Sequence, residues 1–112
     1  MIESFEGPNP NTAVPSKVRF QYYGTVRSVI DKHVDVMDYI QNTTVYESLL
    51  RLAGIYGNGF QGEVFDNNAN GGLRDDLMIT VNGTIIDHQN VMDLYVNPAD
   101  EIALFPIFPG GG

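Results

Sequence analysis

The chain ends in Phe105-Pro106-Ile107-Phe108-Pro109-Gly110-Gly111-Gly112, and here its residue types come closest to a chemical task. The prolines keep the segment extended, and the three glycines put no β-carbon between the last bulky side chain and the terminal carboxylate. Such a stalk suits threading a carboxyl group through a narrow channel into another enzyme's active site. A bare carboxylate is a poor electrophile, so a partner must first convert it to an acyl-adenylate with ATP. A sulfur donor can then displace AMP and leave a thiocarboxylate. The chain supplies the reacting group and its partners supply catalysis. Terminal glycines alone are a weak indication, because frayed ends look alike, but these follow directly on an apolar strand.

Other constellations carry less. His33 and His88 have no spacing that would pair them with a second metal ligand or a nucleophile, so they read as ordinary surface histidines. The glycines from Gly54 to Gly62 lack the Lys-Ser/Thr that closes a phosphate-binding loop. Asp66, Asn68, Asn70, Gly71 and Leu73 fall where a calcium loop wants them, but Leu77 stands where the bidentate glutamate belongs. We read 66–76 as a mobile asparagine-rich turn and not a metal site. Asp75-Asp76 and Asp100-Glu101 are neighbours that point apart rather than converge on a substrate, and they are expected to be solvated turn acids. The sequence has no cysteine, which excludes disulfides, thiolate metal sites and a persulfide on its own side chain.

With 112 residues, the chain is one domain, too short for a separate catalytic unit with its own cofactor cleft. No apolar run approaches the roughly 18 residues of a membrane span. Met1 to Lys17 carries acids, prolines and asparagines rather than a basic start and an apolar stretch, so a cytoplasmic location is expected. A formal charge of −8 argues against nucleic acid and favours a basic protein partner, although an acidic surface also serves solubility.

Three segments follow: an arm over 1–17 rich in proline and asparagine, a folded domain over 18–108, and the tail over 109–112. Val18, Phe20 and Tyr22 alternate with Arg19, Gln21 and Tyr23 as a strand does. The chain then turns through Arg27 to Lys32 into a second strand around Val34 to Ile40, expected to be antiparallel to the first. Thr44-Val45-Tyr46-Glu47 is a capping box, and Val45, Leu49, Leu52 and Tyr56 mark one face of the helix it opens. A long connection from Gly59 to Asp76 is expected, with Glu63-Val64-Phe65 extended. Leu77 to Val81, the Asn82-Gly83 turn and Thr84-Ile85-Ile86 form a hairpin. A loop through Asp87 to Pro98 leads to a last strand, Ile102 to Phe105, stopped by Pro106.

Val81-Asn82-Gly83, Asp100-Glu101-Ile102-Ala103-Leu104-Phe105-Pro106 and the glycine tail together resemble one family, the small subunit of molybdopterin synthase and the related thiamine-pathway sulfur carrier. The resemblance spans about Val18 to Gly112. Ile107-Phe108-Pro109, the third glycine, the N-terminal arm and the long middle loop depart from the common pattern. The resemblance implies an α+β fold of the ubiquitin-like β-grasp kind, a mixed sheet covered by one main helix with an extended glycine tail. It implies a carrier or non-catalytic subunit with no stably bound cofactor and no metal, carrying AMP transiently at its terminal glycine. Its partners would be an activating enzyme resembling ubiquitin E1, a sulfur donor, and a pterin-synthase large subunit or another acceptor. Gly110, Gly111 and Gly112 are then the reacting tail. Gly111 matches the family's end, and Gly112 is expected to be used directly. Phe105, Ile107, Phe108 and Pro109 are expected to anchor partners, although Phe105 and Ile107 could instead finish the core. A ubiquitin-like modifier that forms isopeptide bonds is the rival reading, and a non-conjugating β-grasp interaction domain is the third.

Overall fold

In the computed structural model the described residues are 17–66 and 72–107. Residues 1–16 of the expected arm, 67–71 of the asparagine-rich turn and 108–112 lie outside them, whereas Lys17, expected to end the arm, opens the first strand. Strand β1 (Lys17–Tyr22) turns its Val18, Phe20 and Tyr22 into the core as the alternation requires. Strand β2 (Val34–Asp38) pairs antiparallel with it, Phe20 opposite Asp35 and Val18 opposite Met37. That register sends Asp35 and Met37 to the core side and leaves Val36 at 57% exposure on the other face.

The expected turn through Arg27 to Lys32 is instead a helix, α1 (Gly24–Ile30). Its β-branched residues have poor intrinsic propensity, and burial of Val26 overrides it. Helix α2 (Val45–Tyr56) begins at the expected capping box: Glu47 N–H donates to Thr44 Oγ1 at 3.1 Å and Thr44 N–H to Glu47 Oε1 at 2.9 Å. Val45, Leu49 and Leu52 are fully buried against the sheet, each contributing on the order of 2 kcal/mol.

Helix α3 (Asn58–Val64) occupies the start of what was expected to be a structureless connection. Its Phe60 and Val64, four residues apart, are both fully buried. Glu63 and Val64 are therefore helical rather than extended, and Phe65 follows in an isolated bridge to Leu73. Helices α1 and α3 approach so closely at Gly59 that a β-carbon there would lie 2.6 Å from Val29 Cγ1.

Strand β3 (Leu77–Val81) and strand β4 (Thr84–Ile86) form the expected hairpin, with Asn82 at φ 52° and Gly83 at φ 84° as a type I′ turn demands. The connection after it contains a short helix, α4 (His88–Val91), which buries Val91. Strand β5 (Glu101–Pro106) closes the sheet in the order β2-β1-β5-β3-β4, parallel to β1 and antiparallel to β3. The last strand thus lies at the centre. The helices cover one face, and among the described residues the single main helix of the expectation is joined by three shorter ones. Among the described residues no helix is long and apolar enough to cross a membrane.

Candidate functional site at the root of the tail

The last described residues before the tail belong to β5 and its continuation at Ile107. At its start, Asp100 is buried rather than solvated as expected. Its Oδ1 accepts from Asn82 Nδ2 at 2.8 Å, and its Oδ2 accepts from the Asn97 amide at 2.7 Å. Asn82 Oδ1 in turn accepts from the Glu101 amide at 2.9 Å, while the Asn82 amide donates to the Glu101 carbonyl at 2.7 Å. The Val-Asn-Gly turn and the Asp-Glu pair, distant in sequence, therefore form one clamp. It satisfies every polar group it takes out of water.

At the other end, β5 continues through Pro106, one residue past the expected stop. The odd-numbered residues of β5 exchange hydrogen bonds with β3. The missing amide hydrogen of Pro106 therefore faces β1, where the chain has already turned into α1 and no ladder bond is lost. Gly24 makes that turn at φ 57°, where a β-carbon would sit 3.3 Å from the Pro106 ring. The Ile107 amide donates to the Asp76 carbonyl at 2.6 Å, extending the β3 pairing to the last described residue.

Of the expected anchors, Phe105 does not finish the core. Ile102 and Leu104 face the helices, so Phe105 lies on the opposite sheet face, half-buried, opposite Met78 and stacked on the Tyr23 ring with centroids 4.3 Å apart. Ile107 is 45% exposed. The two are brought to one end of the sheet with Tyr23 and Met78, neither of which the sequence reading singled out. The outward position of Tyr23 was present in the alternation. Phe108, Pro109, Gly110, Gly111 and Gly112 lie outside the described residues.

His88 differs from an ordinary surface histidine. It is half-buried, and its Nε2 donates to the Leu77 carbonyl at 2.5 Å where β4 has left the sheet. His33 is exposed beside Arg27. Among the described residues no three acids or histidines converge on a metal position.

A second polar cluster lies away from the tail. Asp35 Oδ2 accepts from the hydroxyls of Tyr22 and Tyr56, and Asp35 Oδ1 accepts from Lys32 at 2.8 Å. Partial burial would raise the Asp35 carboxyl, but Lys32 and the two tyrosines outweigh it and hold it below the usual aspartate value. The Tyr22 hydroxyl is pushed up by burial and then by Asp35. The cluster ties β1 and β2 to the end of α2.

Charge divides unequally along the chain. Residues 17–56 carry five Lys or Arg and four acids, whereas 57–107 carry eight acids and Arg74 alone. Arg74 is held by both Asp76 oxygens at 2.9 Å.

A five-stranded mixed sheet with parallel first and last strands, backed by α2 and ending in a glycine tail, defines a ubiquitin-like β-grasp protein. The chain belongs to the ThiS family, whose model matches residues 20–111; this is a family of sulfur carriers and ubiquitin-like modifiers, generally not catalysts themselves. No curated protein matches the sequence. Among solved structures it resembles SAMP1 from Haloferax volcanii, with TM-score 0.71 and 23% identity over 85% of this chain and 99% of that one. It also resembles Urm1 from Trypanosoma brucei, with TM-score 0.68 and 16% identity over 86% and 96%. A Pyrococcus furiosus protein named as subunit 1 of a molybdopterin converting factor gives TM-score 0.60 and 19% identity over 82% and 98%.

Proposed function

We propose that this chain carries sulfur as a thiocarboxylate on Gly112, formed after an E1-like enzyme has adenylated the C-terminal carboxylate, and delivers it to a pterin synthase of the molybdopterin or tungstopterin type. The observation that carries the reading is the β5 clamp together with a family match that runs to Gly111. A central strand fixed at both ends holds the base of the tail at a defined place, which positioning a carboxylate in a partner's channel requires. AMP is a transient passenger, and the activating enzyme supplies the nucleotide site. A protein modifier is the second reading, favoured by the likeness to SAMP1 and Urm1.

Incubating the chain with its activating enzyme, ATP and a sulfur donor, then weighing it intact, tests the first reading. Retention of all residues with one oxygen replaced by sulfur supports it. Loss of a glycine before that replacement refutes the direct use of Gly112, and no change under competent conditions refutes the carrier. Isopeptide links from the tail to lysines of other proteins would favour the modifier. Phe108→Ala should weaken binding to the activating enzyme, and unchanged binding would remove that residue as an anchor.

A further inference from the structure

Where β4 ends at Ile86, the chain swings away into α4, and the β3 segment from Met78 back to Asp76 keeps β5 on one side but has no β4 partner on the other. The step leaves a trough of about 600 Å³ floored by Leu77, Met78, Ile85 and Ile86. Ile107, the last described residue before the tail, forms one wall. Ile85 is 65% exposed there. A second hollow of about 420 Å³ continues along the other side of Ile85 and Ile86 to Asp93. The rim is acidic, with Asp87 lining both hollows and Asp93 the second. Among the described residues no Lys or Arg lines either hollow, and Arg74, the sole one of residues 57–107, is committed to Asp76.

Building on the carrier reading, we infer that this trough docks a segment of the activating enzyme that presents aliphatic side chains to Ile85 and Ile86 and Lys or Arg to Asp87 and Asp93. Three observations select that occupant. The trough is continuous with the root of the tail through Ile107, so whatever grips the tail lies against it. Its floor is apolar, with Ile85 exposed and Met78 and Ile86 partly so, and an interface core is built from such surface. Its rim and the whole tail-bearing half carry negative charge that only a basic surface complements. Strand β2, in the near-balanced half, is the opposite edge of the sheet and would stay free during the encounter. Recognition is then bipartite: the tail enters the channel and the trough fixes the body.

The test uses the full chain with its activating enzyme, ATP–pyrophosphate exchange as the readout, and Ile85→Ser, Asp87→Lys and Asp87→Glu as variants. These positions are exposed, and unchanged unfolding midpoints verify the fold. Ile85→Ser and Asp87→Lys should each raise KM for the chain about tenfold with kcat unchanged, while Asp87→Glu keeps KM near the parent's. Raising salt from about 0.05 M to about 0.5 M should raise KM for the parent several-fold and for Asp87→Lys much less. KM within about twofold of the parent in both variants overturns docking at the trough. A rise for Ile85→Ser with no effect of Asp87→Lys or salt overturns the basic partner. A chain ending at Ile107 separates this from the carrier reading: exchange lost on truncation upholds the tail whatever the trough variants do, and exchange retained refutes the tail.

Discussion

Replacing Asn82 separates its two roles. Asn82→Gly keeps the positive φ and drops the side chain, so it should still cost about 1–3 kcal/mol in urea unfolding, because it leaves Asp100 and the Glu101 amide short of partners. A loss no greater than a few tenths would show that the clamp is decorative. Asp35 makes a second prediction. Its carboxyl is held low in the fold, so it adds stability above the ordinary aspartate value, near 3.9. That contribution falls away as pH drops through the lower folded value. Asp35→Asn should therefore flatten the acid side of the stability profile, as thermal midpoints measured across pH would show. The sequence displayed Asn82 as a turn residue and Asp100 as one of a pair of turn acids. It could not display their contact, because a hydrogen bond across 18 positions leaves no periodic trace.

Among the elements, those with a local signature were legible. The capping box set the start of α2, and Thr44→Ala should cost about 1 kcal/mol by loss of the cap. The Asn82-Gly83 turn set the β3–β4 hairpin. Helices α1 and α3 escaped because β-branched and glycine residues argue against helix locally, and the two are held by burial of Val26, Phe60 and Val64. Phe60 and Val64 at a spacing of four were the trace that could have shown α3. Phe60→Ala should cost about 3–5 kcal/mol in chemical unfolding, the range of a fully buried aromatic. A cost below about 1 kcal/mol would mean that α3 is peripheral to the core.

On the scale of the whole molecule, the Asp76–Ile107 hydrogen bond is the last described contact of the sheet, and the proposed chemistry belongs to residues beyond it. A chain ending at Ile107 should unfold at the same urea midpoint as the full chain yet support no adenylation. The general fold was legible because the Val-Asn-Gly turn and the Asp-Glu strand start resemble a family. The trough was not, since it arises where α4 leaves the sheet and Ile107 returns beside Leu77. Those positions are distant in sequence and meet only through β5.

The central place of β5 also sets an order of events in folding. The β1–β2 and β3–β4 pairs are each local and can form within microseconds. They share no edge, however, and become one sheet only when the last strand inserts between β1 and β3. That step must close a loop spanning nearly the whole domain before burial of Ile102 and Leu104 repays it, which places it at the slow end of the process. A nascent chain therefore has no continuous sheet until its C-terminal strand is available, and the strand that completes the fold is the one from which the tail extends.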